Sequence, residues 1–428
     1  MVGLARVFVE VFGCSANQAD AEIASGLLDQ AGHTVVGSPE IADALVVLTC
    51  TVKTPTEKRV VKRISELSAS KVPLVVAGCM PKAQPELVEG AAPDACMVGP
   101  DDLLGIVDAV EAAIRGKRIV ENSRGPAERT CLPRVRANPV VHIAPISTGC
   151  LGDCSYCIVK RARGRIHSYP ADLIVEDAKR ALEEGCREIW LTAEDTAAYH
   201  WNGTRLPGLL EELTAMDGKF YIRVGMMTPN QAGSILDDLL EAYRSGKVYK
   251  FLHAPVQSGN DSVLTAMNRR YTVDTFRALV GAFRGAYPSL SLSTDIICGF
   301  PGETDGQFDD SIRLVEEVVP DVLNISRFWP RPGTEAEAME GQHHGRVTKM
   351  RSRRMSDRWR RLSSDINRRW IGWMGEVVVD EQGRDGSMVG RNNAYKPVVI
   401  KEPLELGEIV KVRVTEAGTG YLVGQIVD

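Results

Sequence analysis

Strand-like runs alternate with helix-like runs over most of this chain, and that alternation limits its fold more than any other feature. Residues 1–125 read RVFVEVF, NQADAEIASGLLDQAG, ALVVLT, TPTEKRVVKRISELSAS, PLVVAG, a short helix, CMVG and DLLGIVDAVEAAIRG. Strands separated by helices imply an α/β domain with a doubly wound parallel sheet. A stretch containing Pro, Arg and Asn, 126–139, reads as a linker. Six further strand-like runs follow over 140–345: VVHIAPIS, EIWLTAE, FYIRVGMM, YKFLHAPV, LSTDIICGF and VLNISRF. Repeated strand–helix units of this kind predict a partial (β/α)6 barrel, with its working groups at the carboxyl ends of the strands. From 371 to 428 the grammar changes to short strands such as GEVVVD, YKPVVI and EIVKVRV, divided by the turns QGRDG and AGTG. This predicts a small all-β, OB-like antiparallel barrel.

The segment TGCLGDCSYC puts Cys150, Cys154 and Cys157 in one tight loop after the first strand of the partial barrel. A disulfide framework uses pairs, and a closed structural zinc uses four ligands. His142 and His167 flank the loop, but not at a usual zinc spacing. Three thiolates suit a 4Fe-4S cluster with one iron left open, and Tyr156 adds an aromatic wall. A second triad emerges from topology: Cys14 follows the first strand, Cys50 ends ALVVLTC and Cys79 ends PLVVAGC. In a parallel sheet those three ends share one edge, where such folds bind ligands. A second 4Fe-4S cluster fits there, although each thiol alone also reads as a small buried hydrophobe. Cys96, Cys131, Cys186 and Cys298 read as packing thiols.

The CxxxCxxC spacing with an aromatic before its last cysteine resembles the radical S-adenosylmethionine superfamily. The resemblance implies that the open iron chelates S-adenosylmethionine, which is cleaved to a 5′-deoxyadenosyl radical. The strand-end rule then selects Glu194 and Asp195 after the second strand, Arg223 on the third, Gln257 after the fourth and Asp295 within the fifth. The carboxylates and the amide suit the ribose and amino groups of S-adenosylmethionine, and Arg223 its carboxylate. Each also has a plainer reading as a loop cap, an internal ion pair or a turn residue.

The chain of 428 residues carries a net charge of -5, so any nucleic-acid site must be local. One such place is 346–370, with ten Lys or Arg against two Asp. Its spacing suits a helix, with Trp359 and Trp370 free to pack or stack. Arg353, Arg354, Arg360 and Arg361 are its candidate phosphate contacts, although such a run also reads as a solvated face. The start shows no signal-peptide pattern, and no stretch has the length of a membrane span. The ten cysteines form no compact secreted framework, which fits a cytoplasmic protein whose thiolates stay available to metal.

Across nearly its whole length the chain resembles the methylthiotransferase family, including its C-terminal TRAM domain. The motifs are GCSANQADAE, LTCTVKTPTE and AGCMPKAQPE in the first domain. The second adds TGCLGDCSYCIVKRARGRIHSYP, LTAEDTAAY, APVQSGNDSVL and DIICGFPGET. CTVKTPTE, the Glu-Asp-Thr of LTAEDTAAY, RVGM and DIICGFPGET look most like the archaeal and eukaryotic branch, which acts on threonylcarbamoyl-adenosine beside the tRNA anticodon. Ala21, Leu48 and His200 depart from the usual family residues without touching a cluster cysteine; His200 bears on the loop after the second strand. The resemblance implies a methylthio group placed on carbon 2 of the adenine, two 4Fe-4S clusters, S-adenosylmethionine, an electron donor and a sulfur source. Two alternatives are a relative acting on another tRNA adenosine or a ribosomal-protein aspartate, and a non-catalytic RNA-binding protein with zinc.

Overall fold

The computed structural model describes residues 4–52, 54–123 and 125–427; Lys53, inside the second cysteine motif, lies outside them. In the first domain six strands pair in parallel in the order Thr34–Val36, Arg6–Val11, Ala44–Thr49, Leu74–Gly78, Cys96–Val98, Val120–Glu121. The run ALVVLT shows no polar alternation because helices cover both faces. Val46 and Leu48 pack with Ile23, Leu28, Ile106 and Val110, whereas Leu45 and Val47 pack with Val60, Ile64 and Val88. The edge strands Thr34–Val36 and Val120–Glu121 are too short to carry a sequence pattern. The chain leaves Arg6–Val11 toward one edge, then returns past it to Ala44–Thr49. This reversal opens a crevice at the carboxyl ends of those two strands, and Cys14 and Cys50 follow them.

Residues 125–139 are irregular but not a free tether. Arg129 is buried, donating to Asp20 at 2.7 Å and to the Tyr169 hydroxyl at 2.9 Å. Arg134 donates to Asp177 at 3.2 Å, and the Val135 amide donates to the Glu22 carbonyl at 3.0 Å. A Cβ on Gly26 would stand 2.3 Å from the Pro133 backbone, so only glycine lets the helix Ser15–Gln30 approach this strap. The segment therefore fastens the first domain to the second.

The six strands of the partial barrel form two parallel three-stranded sheets. One has the order Tyr221–Val224, Glu188–Thr192, Val141–Pro145; the other is Phe251–His253, Ser291–Cys298, Val322–Arg327. A parallel bridge from Ile222 to Val248 joins them. Ile189, Leu191, Ile222, Val224, Leu252 and Leu292 pack against the surrounding helices in the main core. With the two-residue period of a strand, Trp190, Arg223, Phe251, His253 and Asp295 face the other way, into the barrel.

The C-terminal strands Met374–Gln382, Met388–Arg391, Pro397–Ile400, Ile409–Ala417 and Leu422–Ile426 close into a barrel. The expectation of a wholly antiparallel barrel needs correction, because Pro397–Ile400 and Leu422–Ile426 pair in parallel. Gly424 permits this closure, since a Cβ there would lie 2.8 Å from a Val398 methyl. Closure removes the exposed strand edges that invite aggregation. The basic segment is the helix Gly345–Arg368, whose inner stripe includes Thr348, Arg351, Met355, Ser363 and Ile366. Both tryptophans pack. Trp359 Nε1 donates to the Pro320 carbonyl at 2.9 Å, and Trp370 is buried in the C-terminal barrel, edge-on to Trp373 at 5.7 Å. Among the described residues no helix is long and apolar enough to cross a membrane.

Candidate functional site

One amide stitches together the strand ends of the first domain. Asn17 Nδ2 donates to the carbonyls of Phe12 and Thr49, each at 2.8 Å, just before Cys14 and Cys50. The Thr49 hydroxyl donates to the Ala77 carbonyl at 2.7 Å and accepts from the Met80 amide at 3.2 Å, tying in the loop of Cys79. Gly13, at φ +138°, must be glycine: a Cβ would sit 3.0 Å from that of Cys50 and 2.5 Å from the Asn17 amide nitrogen. Cys50 and Cys79 are buried and Cys14 is exposed, so the triad has a closed floor and an open mouth. Burial pushes the Cys50 thiol up and that of Cys79 up to about 12, with the neighbouring thiols adding to the shift. A bound metal reverses this preference, because a coordinating thiol gives up its proton.

The second triad sits on a loop pinned at both ends, where Ser147–Thr148 pairs with His167–Ser168. Gly149, at φ +74°, lies so close to the Arg165 carbonyl that a Cβ would stand 2.2 Å from its oxygen. The Gly152 amide donates to Cys150 Sγ at 3.2 Å. A Cβ there would lie 3.4 Å from that sulfur and 3.7 Å from Cys154 Sγ, so the backbone passes between two thiols. Arg269 Nη1 donates to Cys154 Sγ at 3.2 Å. Tyr156 meets Phe300 edge-on at 6.5 Å within an apolar cluster of Val263, Met267, Phe300 and Phe328, forming the wall expected of it. Burial raises Cys150 to about 11 and Cys157 to about 12, again with neighbouring thiols adding. Among the described residues no three His, Cys, Asp or Glu side chains converge on a single-ion point. A multi-iron cluster takes one thiolate per iron and needs no such convergence, and three thiols are the donor chemistry it uses.

Glu194 and Asp195 lie near enough to Cys150 to raise its thiol further. Burial raises Asp195 to about 6, although it accepts from the Thr228 amide at 3.1 Å and hydroxyl at 2.5 Å. Burial also raises Glu194, opposed by Arg163. Asp295 bonds His253 Nε2 at 3.1 Å on the inner face of its strand. Gln257 holds φ +72°, a left-handed strain that a non-glycine residue keeps only where its surroundings impose it. Arg223 lies on the third strand of the partial barrel. Its guanidinium lies over the rings of Trp190, Phe251 and Tyr395 at 5.2, 5.4 and 5.2 Å, with Nε buried and unpartnered among the described residues. The C-terminal barrel supplies Tyr395, so the aromatic surroundings of this arginine come from two domains.

The two triads adjoin. Cys79 and Ala83 pack against Ile158 and Ala162, from the helix that follows Cys157. Sequence reasoning missed three arginines in this region, the buried Arg163 and Arg331 and the half-buried Arg269. Arg331 donates to Thr51, Thr54 and Gln84 at 3.1, 2.9 and 3.0 Å and pairs with Glu57, binding the loop after Cys50 to the end of the partial barrel. The signal that could have found Arg163 and Arg331 was an arginine inside a Gly- or Pro-punctuated stretch, as in KRARG and WPRPG. The remaining cysteines pack elsewhere. Cys96, Cys131 and Cys186 contact backbone carbonyls, and Cys298 is buried in the main core.

The basic face is partly neutralised, by a neighbouring helix and from within its own. Arg354 pairs with Asp309 at 2.6 Å, Arg358 pairs with Glu316, and Arg360 is 3.9 Å from Asp357. Arg351 is buried on Glu303 and Asp305. Arg353 and Arg361 are exposed without an acidic partner among the described residues, along a groove of about 960 Å³ that Arg346 and Lys349 also line.

Three family models match the chain: the Radical SAM superfamily over residues 144–315, the uncharacterized protein family UPF0004 over 6–99, and the TRAM domain over 371–427. The chain is 43% identical to a probable threonylcarbamoyladenosine tRNA methylthiotransferase of Methanothermobacter thermautotrophicus, covering 97% of this chain and 98% of that protein. A Pyrococcus horikoshii protein of the same description is 40% identical, over 99% and 100% of the two chains. The human threonylcarbamoyladenosine tRNA methylthiotransferase is 37% identical, over 99% of this chain and 74% of that one. Among solved structures, the radical S-adenosylmethionine methyltransferase TsrM of Kitasatospora setae shares the fold, with a TM-score of 0.59 at 14% identity over 78% and 77% of the chains. The fold is that of a radical S-adenosylmethionine enzyme, and the chain belongs to the threonylcarbamoyladenosine tRNA methylthiotransferase family.

Proposed function

We propose that this protein transfers a methylthio group to carbon 2 of threonylcarbamoyl-adenosine beside the anticodon of tRNA. The observation that carries this reading is the adjacency of two independent cysteine triads, joined through Cys79, Ala83, Ile158 and Ala162. Cys150, Cys154 and Cys157 would hold one 4Fe-4S cluster, and Cys14, Cys50 and Cys79 a second. When bound, these groups supply the electron that cleaves S-adenosylmethionine and a place to carry the sulfur. The chain's own residues do the positioning. Asp195 and Glu194 stand beside the Cys150 loop, Asp295 is oriented by His253, and Gln257 is held in a strained conformation; these four would bind the polar groups of S-adenosylmethionine. Tyr156 and its apolar cluster keep water from the inner side of the loop. The exposed Cys14 marks the mouth through which substrate and sulfur source would arrive.

The curated relatives carry the tRNA substrate in their names, which favours RNA over a ribosomal-protein aspartate. The anticodon stem-loop, an electron donor and a sulfur source are the partners this chemistry needs, in the cytoplasm. Iron and sulfide analysis of anaerobically prepared protein tests the cofactor reading. Roughly eight of each per chain are expected, and stoichiometric zinc would refute it. Cys154→Ala should abolish both 5′-deoxyadenosine and methylthio product. Cys50→Ala should retain some cleavage but make no product, and normal transfer by it would exclude the first-domain site as sulfur carrier.

A further inference from the structure

We propose that Arg163 is the positioning residue that sets the Cys14, Cys50, Cys79 site against the Cys150–Cys157 loop. The proposal rests on the two-cluster reading above. Arg163 ends the short helix Val159–Arg163, which begins two residues after Cys157, and its side chain is buried. Its Nη2 donates to Asn17 Oδ1 and to Asp20 Oδ2, both at 2.8 Å, and its Nε lies 3.4 Å from Glu194 Oε1. Each acceptor belongs to a different part of the machinery. Asn17 ties the strand ends that carry Cys14 and Cys50, and its Oδ1 lies 3.8 Å from Cys79 Sγ. Asp20 is shared with Arg129 of the interdomain strap at 2.7 Å, and Glu194 stands beside Cys150.

The planar fork of a guanidinium meets these three acceptors together, whereas the point charge of a lysine cannot. Charge adds a second argument. A buried ion persists only when paired, and here Asp20 and Glu194 stand against Arg129 and Arg163. Burial alone would raise Asp20, yet the two guanidinium groups hold it below the usual carboxylate range. Further negative charge on the sulfur side therefore falls to Arg163, which reaches Cys79 as well as both carboxylates.

Two full-length variants, R163Q and R163K, test this after anaerobic reconstitution. The first-domain cluster is isolated spectroscopically in a C150A/C154A/C157A background, and its midpoint potential is followed by electron paramagnetic resonance. R163Q should make that potential more negative by at least a tenfold change in the reduction equilibrium, about 59 mV for one electron. R163K should restore the potential. With all cysteines present, both variants should raise the ratio of 5′-deoxyadenosine to methylthio product several-fold. An unshifted potential in R163Q, or a wild-type product ratio in R163K, overturns the proposal; if R163Q fails to load iron, the R163K ratio decides alone. Roughly four irons in the wild type, in place of roughly eight, would overturn the two-cluster reading itself and this inference with it.

Discussion

Arg269 Nη1 and Cys154 Sγ stand 3.2 Å apart, so the central thiol of the radical loop has a half-buried guanidinium as its neighbour. The arginine is itself fixed, donating to the Pro255 carbonyl at 3.1 Å and to the Tyr271 hydroxyl at 2.8 Å. Donation to a ligating sulfur withdraws charge from a cluster and favours its reduced form. Arg269→Met should therefore make the midpoint potential of the loop cluster more negative and slow S-adenosylmethionine cleavage about tenfold or more. The first-domain cluster should keep its potential. Redox titration of both signals in one sample checks this, and an unmoved loop potential would leave Arg269 a packing residue.

Glu188 predicts a pH dependence of stability. It is buried, accepting from the Tyr249 hydroxyl at 2.5 Å and Trp190 Nε1 at 2.7 Å, where the partial barrel meets the C-terminal barrel. Burial first, and Asp380 second, raise it from the ordinary 4.5 to about 7, against the pull of its two donors and Arg391. The folded chain thus keeps a proton that the unfolded chain releases. Stability contributed by that proton is complete at low pH and is lost as pH rises through about 7. Glu303, raised to about 7, and Asp195, raised to about 6, act in the same direction, so the comparison with Glu188→Gln isolates one group. Urea unfolding at about pH 5 and pH 8 should show a smaller loss in the variant, by at most a few kcal/mol; parallel losses would contradict the assignment.

For the basic helix, ion pairing separates the four candidate arginines. Arg353 and Arg361 are open to solvent, whereas Arg354 is held by Asp309 and Arg360 lies beside Asp357. Replacing Arg353 and Arg361 with Ala should weaken tRNA binding more than replacing Arg354 and Arg360. The log–log salt slope should flatten by roughly 0.7 to 0.9 for each phosphate no longer neutralised. S-adenosylmethionine cleavage without RNA should be unchanged. Equal effects of the two double replacements in a filter-binding series would show that ion pairing does not rank these arginines.

Much of the fold could be read from local pattern. The runs ALVVLT and PLVVAG announce buried parallel strands, and parallel strands share one carboxyl edge, so topology alone could bring Cys14, Cys50 and Cys79 together. Local pattern could not show what depends on partners far along the chain. The aromatic surroundings of Arg223 include Tyr395, which arrives from the C-terminal barrel. The charge of the basic helix looked unopposed until Asp309 and Glu316 came from a neighbouring helix. Asn17 and Arg163 are short-range features of their motifs, but their roles exist only where two domains meet. The strands 34–36 and 120–121 went unread because two or three residues carry no period.

The central claim is the conversion of one modified nucleoside, and nucleoside mass spectrometry tests it most directly. Anaerobically reconstituted protein, S-adenosylmethionine, a reductant and a sulfide source are incubated with tRNA that does or does not carry threonylcarbamoyl-adenosine. A pocket built to pair the polar groups of that side chain leaves them unpaired with plain adenosine, at a cost of several kcal/mol. The 2-methylthio derivative should therefore form from the modified tRNA and not from the plain transcript. Equal methylthiolation of both, or transfer only to a ribosomal protein by enzyme with both clusters loaded, would contradict the account.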